Sequence, residues 1–292
     1  NFNLNGFEID INFIKKRLQE GLTIKVNSDE KLDYNLSVIK NNFLKEEAYK
    51  LDLLGDEIKI EASHSAGVFY AFESLHQILL IAQNEGKKWP ILSIEDSPRF
   101  GNRGFMSDVA RNFYPKEKLF QVLDYMAFYK LNRFDLKLSD DDGWRIEIPG
   151  IPELTEVGGN RGYTQDKNDR LIPMYGSGSG DQNSKGNGFL SGQDFVEIIK
   201  YAKQRNIEVI PQISFPSHAR AAIIAMKARY EKYKSDGNID KAMEYMLHDP
   251  EDQSEYRSAQ LYSDNVVCIC NQSAYRFYKK IISEIKSLYI RG

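Results

Sequence analysis

The stretch FDLKLSDDDGWRIEI, Phe134 to Ile148, decides the fold. Its first half alternates apolar and polar residues as a half-buried strand does. Three aspartates then stand side by side. Adjacent like charges repel, so a chain either leaves them in water as a turn or uses them. Asp142-Gly143 between two apolar runs is a hairpin signal, and the local pattern alone favours a turn. What flanks the stretch has to decide.

On either side the rhythm is that of alternating strands and helices. RGFMS (103–107) reads as a short strand, and KEKLFQVLDYMAFYK (116–130) as a helix with Leu119, Leu123, Met126 and Tyr129 on one face. RFDLKL (133–138) is a second strand, GQDFVEIIKYAKQR (192–205) a helix, EVIPQI (208–213) a third strand, and a helical run follows from about His218. This order predicts a parallel β/α architecture, specifically the first part of a (β/α)8 barrel. A second strand in such a sheet needs a parallel neighbour, which weakens the hairpin reading. Between the second strand and its helix lies a polar insert, 158–192, containing YGSGSGDQNSKGNG; inserts at that position form the walls of functional sites.

Residues 1–93 predict a separate small α+β domain, with 94–292 forming an incomplete barrel. LTIKVN, EAYKLDLL and EIKIEAS alternate as strands, and SAGVFYAFESLHQILLIAQ places Val68, Phe72, Leu75 and Leu79 on one helical face. His76 lies near that face as a core histidine. WPILSIEDSPRF (89–100) reads as a linker.

The 292 residues are 41% hydrophobic and 28% charged with a net charge of −3. That is the composition of a globular protein, and it gives no basic face for nucleic acid or an acidic membrane. The longest apolar run, ILLIA (78–82), falls far short of a membrane span. The two cysteines, Cys268 and Cys270 in VVCICNQ, read as buried free thiols on a strand. The four histidines are not spaced as metal ligands, and neither a phosphate loop nor a dinucleotide fingerprint follows any strand, so no cofactor is expected.

Functional groups of a β/α barrel sit just past the C-terminal ends of its strands. Here those positions hold Asp108 and Arg111, then Asp140, Asp141 and Asp142, then His218. A histidine facing a carboxylate can hold a proton in place, and a guanidinium fork suits hydroxyls or a carboxylate. Without a phosphate cradle, sugar hydroxyls are the better match.

At these residues the chain resembles a known family. RGFMSDVARNFYPKEKLFQVLDYMAFYKLNRFDLKLSDDDGWRIEIPGIPELTEVGG is similar to the family 20 glycoside hydrolases, the β-N-acetylhexosaminidases, and from about Asn35 onward the likeness is closest to the bacterial chitobiase branch. That branch shares the Gly-rich insert, the Arg111-Asn112-Phe113 triplet and a segment like MKARYEKY…DPEDQSEYRSAQLYSDN. The resemblance implies an exo-acting enzyme in which the substrate's own acetamido oxygen attacks the anomeric carbon, an exception to the two-carboxylate scheme. An intramolecular nucleophile of this kind gains as much as about 7–11 kcal/mol from proximity. It also implies that Arg111, with Asp108 beside it, grips the terminal sugar, that Asp140 and His218 form a relay behind a glutamic acid, that Asp142-Gly143 only makes a turn, and that the protein is exported.

Three departures qualify the match. The family's Asp-Glu pair follows the fourth barrel strand, whereas the sequence ends at EIKSLYIRG, which leads to the expectation of a fragment inactive by itself. The pair Asp56-Glu57 lies in the small domain, where it reads as a hairpin turn. Asp135 and Lys137 stand where the family usually has His-x-His, and Gln212 and Ser214 where it usually has Glu-x-Asp. These changes keep a second reading open: a non-catalytic N-acetylhexosamine-binding protein on the same fold.

Overall fold

The computed structural model describes residues 2–3, 7, 12, 14–15, 35–86, 90–165, 169–174, 177, 184, 186–251, 253, 257–258 and 260–292. The expected strand LTIKVN lies outside them, as does most of the Gly-rich run 175–185. The chain forms two compact units: 1–104 with 123–133 and 202–207, and 105–122 with 134–201 and 208–292.

The first unit is a five-stranded sheet carrying a helix. Its strands are β1 (Phe2–Asn3), β2 (Asn35–Lys40), β3 (Tyr49–Leu54), β4 (Glu57–Ala62) and β5 (Leu92–Asp96), in the order β1-β2-β4-β3-β5. Strands β3 and β4 pair antiparallel around Gly55-Asp56, with Gly55 at φ +71°, so Asp56 lies in the hairpin turn the sequence predicts and Glu57 opens β4. The supposed linker is in part a strand: β5 pairs antiparallel with β3, Leu51 opposite Ile94. Its prolines flank the strand at 90 and 98 and so leave the ladder intact.

Helix α1 (Ser65–Asn84) contacts β3 and β4 and buries Val68, Phe72, Leu75 and Leu79. Full burial of each such side chain contributes about 1.5–3 kcal/mol. By length and composition α1 could cross a membrane, but it is mostly buried within the protein, as a core helix is. His76 is buried as expected; its Nδ1 lies 3.9 Å from Glu73 and its ring packs edge-on to Phe128.

The bodies of β6 (Gly104–Asp108), β7 (Arg133–Lys137) and β10 (Glu208–Gln212) make the second unit's sheet, in the order β10-β7-β6. The Asn132 N–H donates to the Arg103 carbonyl and the Val109 N–H to the Lys137 carbonyl, so β6 and β7 advance together. The Leu138 N–H donates to the Gln212 carbonyl, joining the C-terminal ends of β7 and β10. Helix α2 (Lys116–Phe128) follows β6 and buries Leu119, Leu123 and Met126. Tyr129 is a correction: the helix has ended, the chain turns through Lys130 at φ +56°, and the ring is exposed.

Beyond β7 the chain breaks at Leu138 and forms a second, tiny sheet. β8 (Ser139–Asp140) pairs antiparallel with β9 (Gly143–Trp144) around Asp141-Asp142. The parallel strand and the hairpin therefore both exist, in succession. The short α3 (Glu153–Glu156) and then α4 (Gly192–Lys203) lead to β10, followed by α5 (Arg220–Ser235), α6 (Ile239–Met243) and α7 (Gln272–Arg291). The cysteines are a second correction. Both are free, but Cys268 is only half-buried and Cys270 exposed, because VVCICNQ pairs with no strand among the described residues and turns into α7 instead.

Candidate active site

Three strand ends bring the expected groups together. Asp108 closes β6, and its Oδ1 accepts the N–H groups of Ala110 and Arg111 at 3.1 and 3.0 Å. Its Oδ2 accepts from Arg111 Nη1 at 2.5 Å, while Arg111 Nη2 lies 3.1 Å from Asp140 Oδ2. Asp108 thus shapes the turn and aims the guanidinium along it. Burial works against the Arg111 charge, but Asp140 and Asp108 outweigh it and raise its pKa. The side chain remains 42% exposed, so part of the fork stays open to a ligand.

Asp140 is almost fully buried, and its Oδ2 also pairs with Lys137 Nζ. Its Oδ1 accepts the Asp141 N–H at 2.7 Å. His218 arrives from the loop after β10 with φ +56°, an unusual conformation for a residue with a side chain. Its Nδ1 lies 3.1 Å from Asp141 Oδ2 and 3.5 Å from Asp140 Oδ1. The expected Asp140–His218 proximity is present, with the shorter contact made by Asp141.

Sequence reasoning placed Asp141 in the strand-end cluster but gave it no role of its own. It is buried, and burial raises its carboxyl pKa against donors that lower it. Those donors are the Arg220 N–H at 3.1 Å and Asn265 Nδ2 at 2.9 Å. Asp142 does more than turn the chain, for it accepts from the Tyr262 hydroxyl at 2.5 Å. Tyr262 and Asn265 lie about 120 residues downstream in LYSDN, a separation at which no local pattern signals contact.

Arg145 and Arg161 were missed as well. Arg145 is fully buried, has no carboxylate partner among the described residues and donates to carbonyls of Val109, Ala110, Asp142, Gly159, Gly186 and Gly188. Burial, then repulsion from Arg161, pulls its pKa down to about 9, which leaves it charged at neutral pH. Arg161 donates to the Arg111 carbonyl at 2.7 Å. A Cβ on residue 143 would come within 2.5 Å of the Ala110 carbonyl and 2.4 Å of Arg145 Nη2, which is why glycine stands there.

Asp140, Asp141 and His218 have ligand atoms within 4.8 Å of one another, close enough for a metal ion. The Asp140 charge, however, is already matched by Lys137 and Arg111, so a divalent ion would have to compete with two resident cations. The arrangement fits a polar, uncharged ligand gripped by Arg111, beside a carboxylate–imidazole pair that can steer a proton.

Residues 100–291 match the model of the glycosyl hydrolase family 20 catalytic domain, and residues 8–97 that of its domain 2. The chain belongs to glycoside hydrolase family 20. Among its family 20 relatives, N,N'-diacetylchitobiase of Vibrio harveyi is 44% identical over 263 residues, which are 88% of this chain and 29% of that protein. Beta-hexosaminidase B of Pseudoalteromonas piscicida is 39% identical over all of this chain and 37% of its own length. The solved exo β-N-acetylglucosaminidase of Vibrio harveyi, in complex with N-acetylglucosamine, superposes with a TM-score of 0.72 at 34% identity, over 87% of this chain and 36% of that one. The chain thus spans about a third of the length of these relatives. The family 20 catalytic domain is a TIM barrel preceded by a small domain. Strands β6, β7 and β10 form one sheet within the part of the chain that matches this domain.

Proposed function

We propose that the chain carries the sugar-gripping and proton-relay part of an exo-acting β-N-acetylhexosaminidase. Such an enzyme removes terminal N-acetylhexosamine from glycoconjugates or chitooligosaccharides by substrate-assisted, retaining catalysis. The observation that carries the proposal is the cluster of Arg111, Asp140 and His218 at adjoining strand ends, with Arg111 3.1 Å and His218 3.5 Å from Asp140. Arg111 binds hydroxyls of the terminal sugar, Asp108 aims it, and Asp140 with His218 tunes the acid that protonates the leaving oxygen. The printed names of the relatives, chitobiase and β-hexosaminidase, support this substrate class.

No Asp-Glu dipeptide occurs between Gly101 and Gly292, so the acid and the acetamido-orienting aspartate are not supplied by this sequence. The test is turnover of p-nitrophenyl N-acetylglucosaminide. We expect hydrolysis by the product of the complete gene, a loss of several decades in that product when the cooperating set is broken, and none by residues 1–292. A folded, inactive gene product would reject the enzyme, and hydrolysis by 1–292 would reject the division of labour.

One observation favours a second reading, a sugar-binding protein without turnover. Where the family usually has a carboxylate, the Ser214 hydroxyl donates to the Ser139 carbonyl at 2.9 Å and ties β10's end to β8. A catalyst binds an oxazoline mimic far more tightly than N-acetylglucosamine, so equal affinities by calorimetry would favour the binding protein.

A further inference from the structure

Helices α2 and α4 end in the same way. After α2 the Lys130 N–H donates to the Ala127 carbonyl and the Leu131 N–H to the Met126 carbonyl. After α4 the Asn206 N–H donates to the Lys203 carbonyl and the Ile207 N–H to the Ala202 carbonyl. Each pair is a Schellman motif, whose pivot takes the left-handed conformation and is usually glycine. Here the pivots are Lys130 and Asn206, both at φ +56°. Asparagine tolerates that φ, whereas a long side chain is costly there. Something beyond the cap has to hold Lys130 in place.

The side chains supply that hold. Lys130 Nζ donates to the Tyr49 hydroxyl at 2.8 Å, Ser74 Oγ at 2.7 Å and Asp96 Oδ2 at 2.9 Å, so each ammonium proton has an acceptor. A lysine at a helix end ordinarily serves the last carbonyls; among the described residues this one serves none of α2's. Its acceptors are joined to one another, the Tyr49 hydroxyl lying 2.6 Å from Ser74 Oγ and donating to Asp96 Oδ2 at 2.9 Å. Asn206 Nδ2 donates to the Tyr70 hydroxyl at 2.8 Å, and that hydroxyl also accepts from Arg103 and donates to Glu47. Tyr49 stands on β3, Ser74 and Tyr70 on α1, and Asp96 ends β5. All these residues belong to the first unit, which takes in 123–133 and 202–207 besides 1–104. The chain leaves that unit at 104, 133 and 207, where β6, β7 and β10 begin.

We propose that β3, β5 and α1 form a docking surface whose partners are these two left-handed helix ends. One tyrosine-centred socket takes the Lys130 ammonium and the other the Asn206 amide, and the docking fixes where β7 and β10 start. The sockets explain why a lysine occupies a pivot that the backbone alone would give to glycine. The inference stands apart from the hexosaminidase reading.

The sign of a glycine substitution separates a socket from an ordinary cap. Glycine relieves a left-handed backbone, so at a pivot that only turns the chain it raises stability. In the full chain, Lys130→Gly should instead lower the urea midpoint by about 0.5 M, and Asn206→Gly should lower it less. Combined with Tyr49→Phe, Lys130→Gly should lower the midpoint by clearly less than the two separate losses together, the mark of a shared contact. Amides of β7 should exchange with deuterium faster in Lys130→Gly than in the parent. A raised or unchanged midpoint in Lys130→Gly, or additive losses in the pair, would overturn the socket. Unchanged exchange in β7 would overturn the anchoring of the strand. If Lys130→Gly does not fold, Asn206→Gly with Tyr70→Phe decides by the same signs: a raised midpoint or additive losses overturn the proposal, and a coupled loss supports it.

Discussion

His248 shows burial prevailing over charge at a single residue. Its Nδ1 is buried with no hydrogen-bond partner among the described residues, Tyr230 packs edge-on to the ring, and burial, then Lys227, pushes its pKa down to about 4. In the unfolded chain the ring titrates near 6.5. Between those values the unfolded state binds the extra proton, so stability falls as the pH drops through that window and is unaffected by this ring above it. The expected outcome is a urea midpoint that declines more steeply from pH 6.5 to 4 in the parent than in His248→Gln. Parallel slopes would show that the ring protonates without cost in the folded state.

Arg145 joins elements. Its fork holds the turn after β6, the β8–β9 hairpin and both flanks of the Gly-rich insert, all through backbone carbonyls. Lysine carries the same charge but three donors on a point, against five in a rigid plane. Arg145→Lys should therefore strand several buried carbonyls and cost on the order of 3 kcal/mol, measured from urea unfolding. A change below about 0.5 kcal/mol, the level typical of surface sites, would mean that the carbonyls find other donors.

At the scale of the whole chain, a net charge of −3 favours neutral ligands over polyanions. Among the described residues β10 pairs on one side only, and Pro211 within it lacks an N–H, as befits an edge. Beside it a groove of about 1100 Å³ is lined by Ile213, Phe215, Tyr278, Ile282 and Ile290. Phe215, Ile282 and Ile290 are 49%, 64% and 75% exposed. An apolar groove next to an open strand invites association. The apparent mass of residues 1–292 in light scattering should rise with concentration. Ile282→Lys with Ile290→Lys should suppress that rise while leaving the circular dichroism spectrum unchanged. A parent that stays monomeric at high concentration would show the groove to be inert.

Local pattern sufficed wherever a residue's neighbours in sequence are also its neighbours in space. The helical face of α1, the Gly55-Asp56 turn and the strand–helix–strand order of 103–213 follow from periodicity and turn chemistry alone. The placement of Asp108, Arg111, Asp140 and His218 followed from one rule about strand ends. What a side chain does once there depends on partners far along the chain. Strand β5 looked like a linker because only pairing with β3 makes it a strand. His218 lies nearer Asp141 than Asp140, and Asn265 and the Arg220 N–H, both remote in sequence, converge on the same Asp141 carboxylate. Sequence determined which groups reach the rim; only the tertiary structure decided which carboxylate each of them meets, since hydrogen bonds are chosen by distances of a few tenths of an ångström that no spacing of letters encodes.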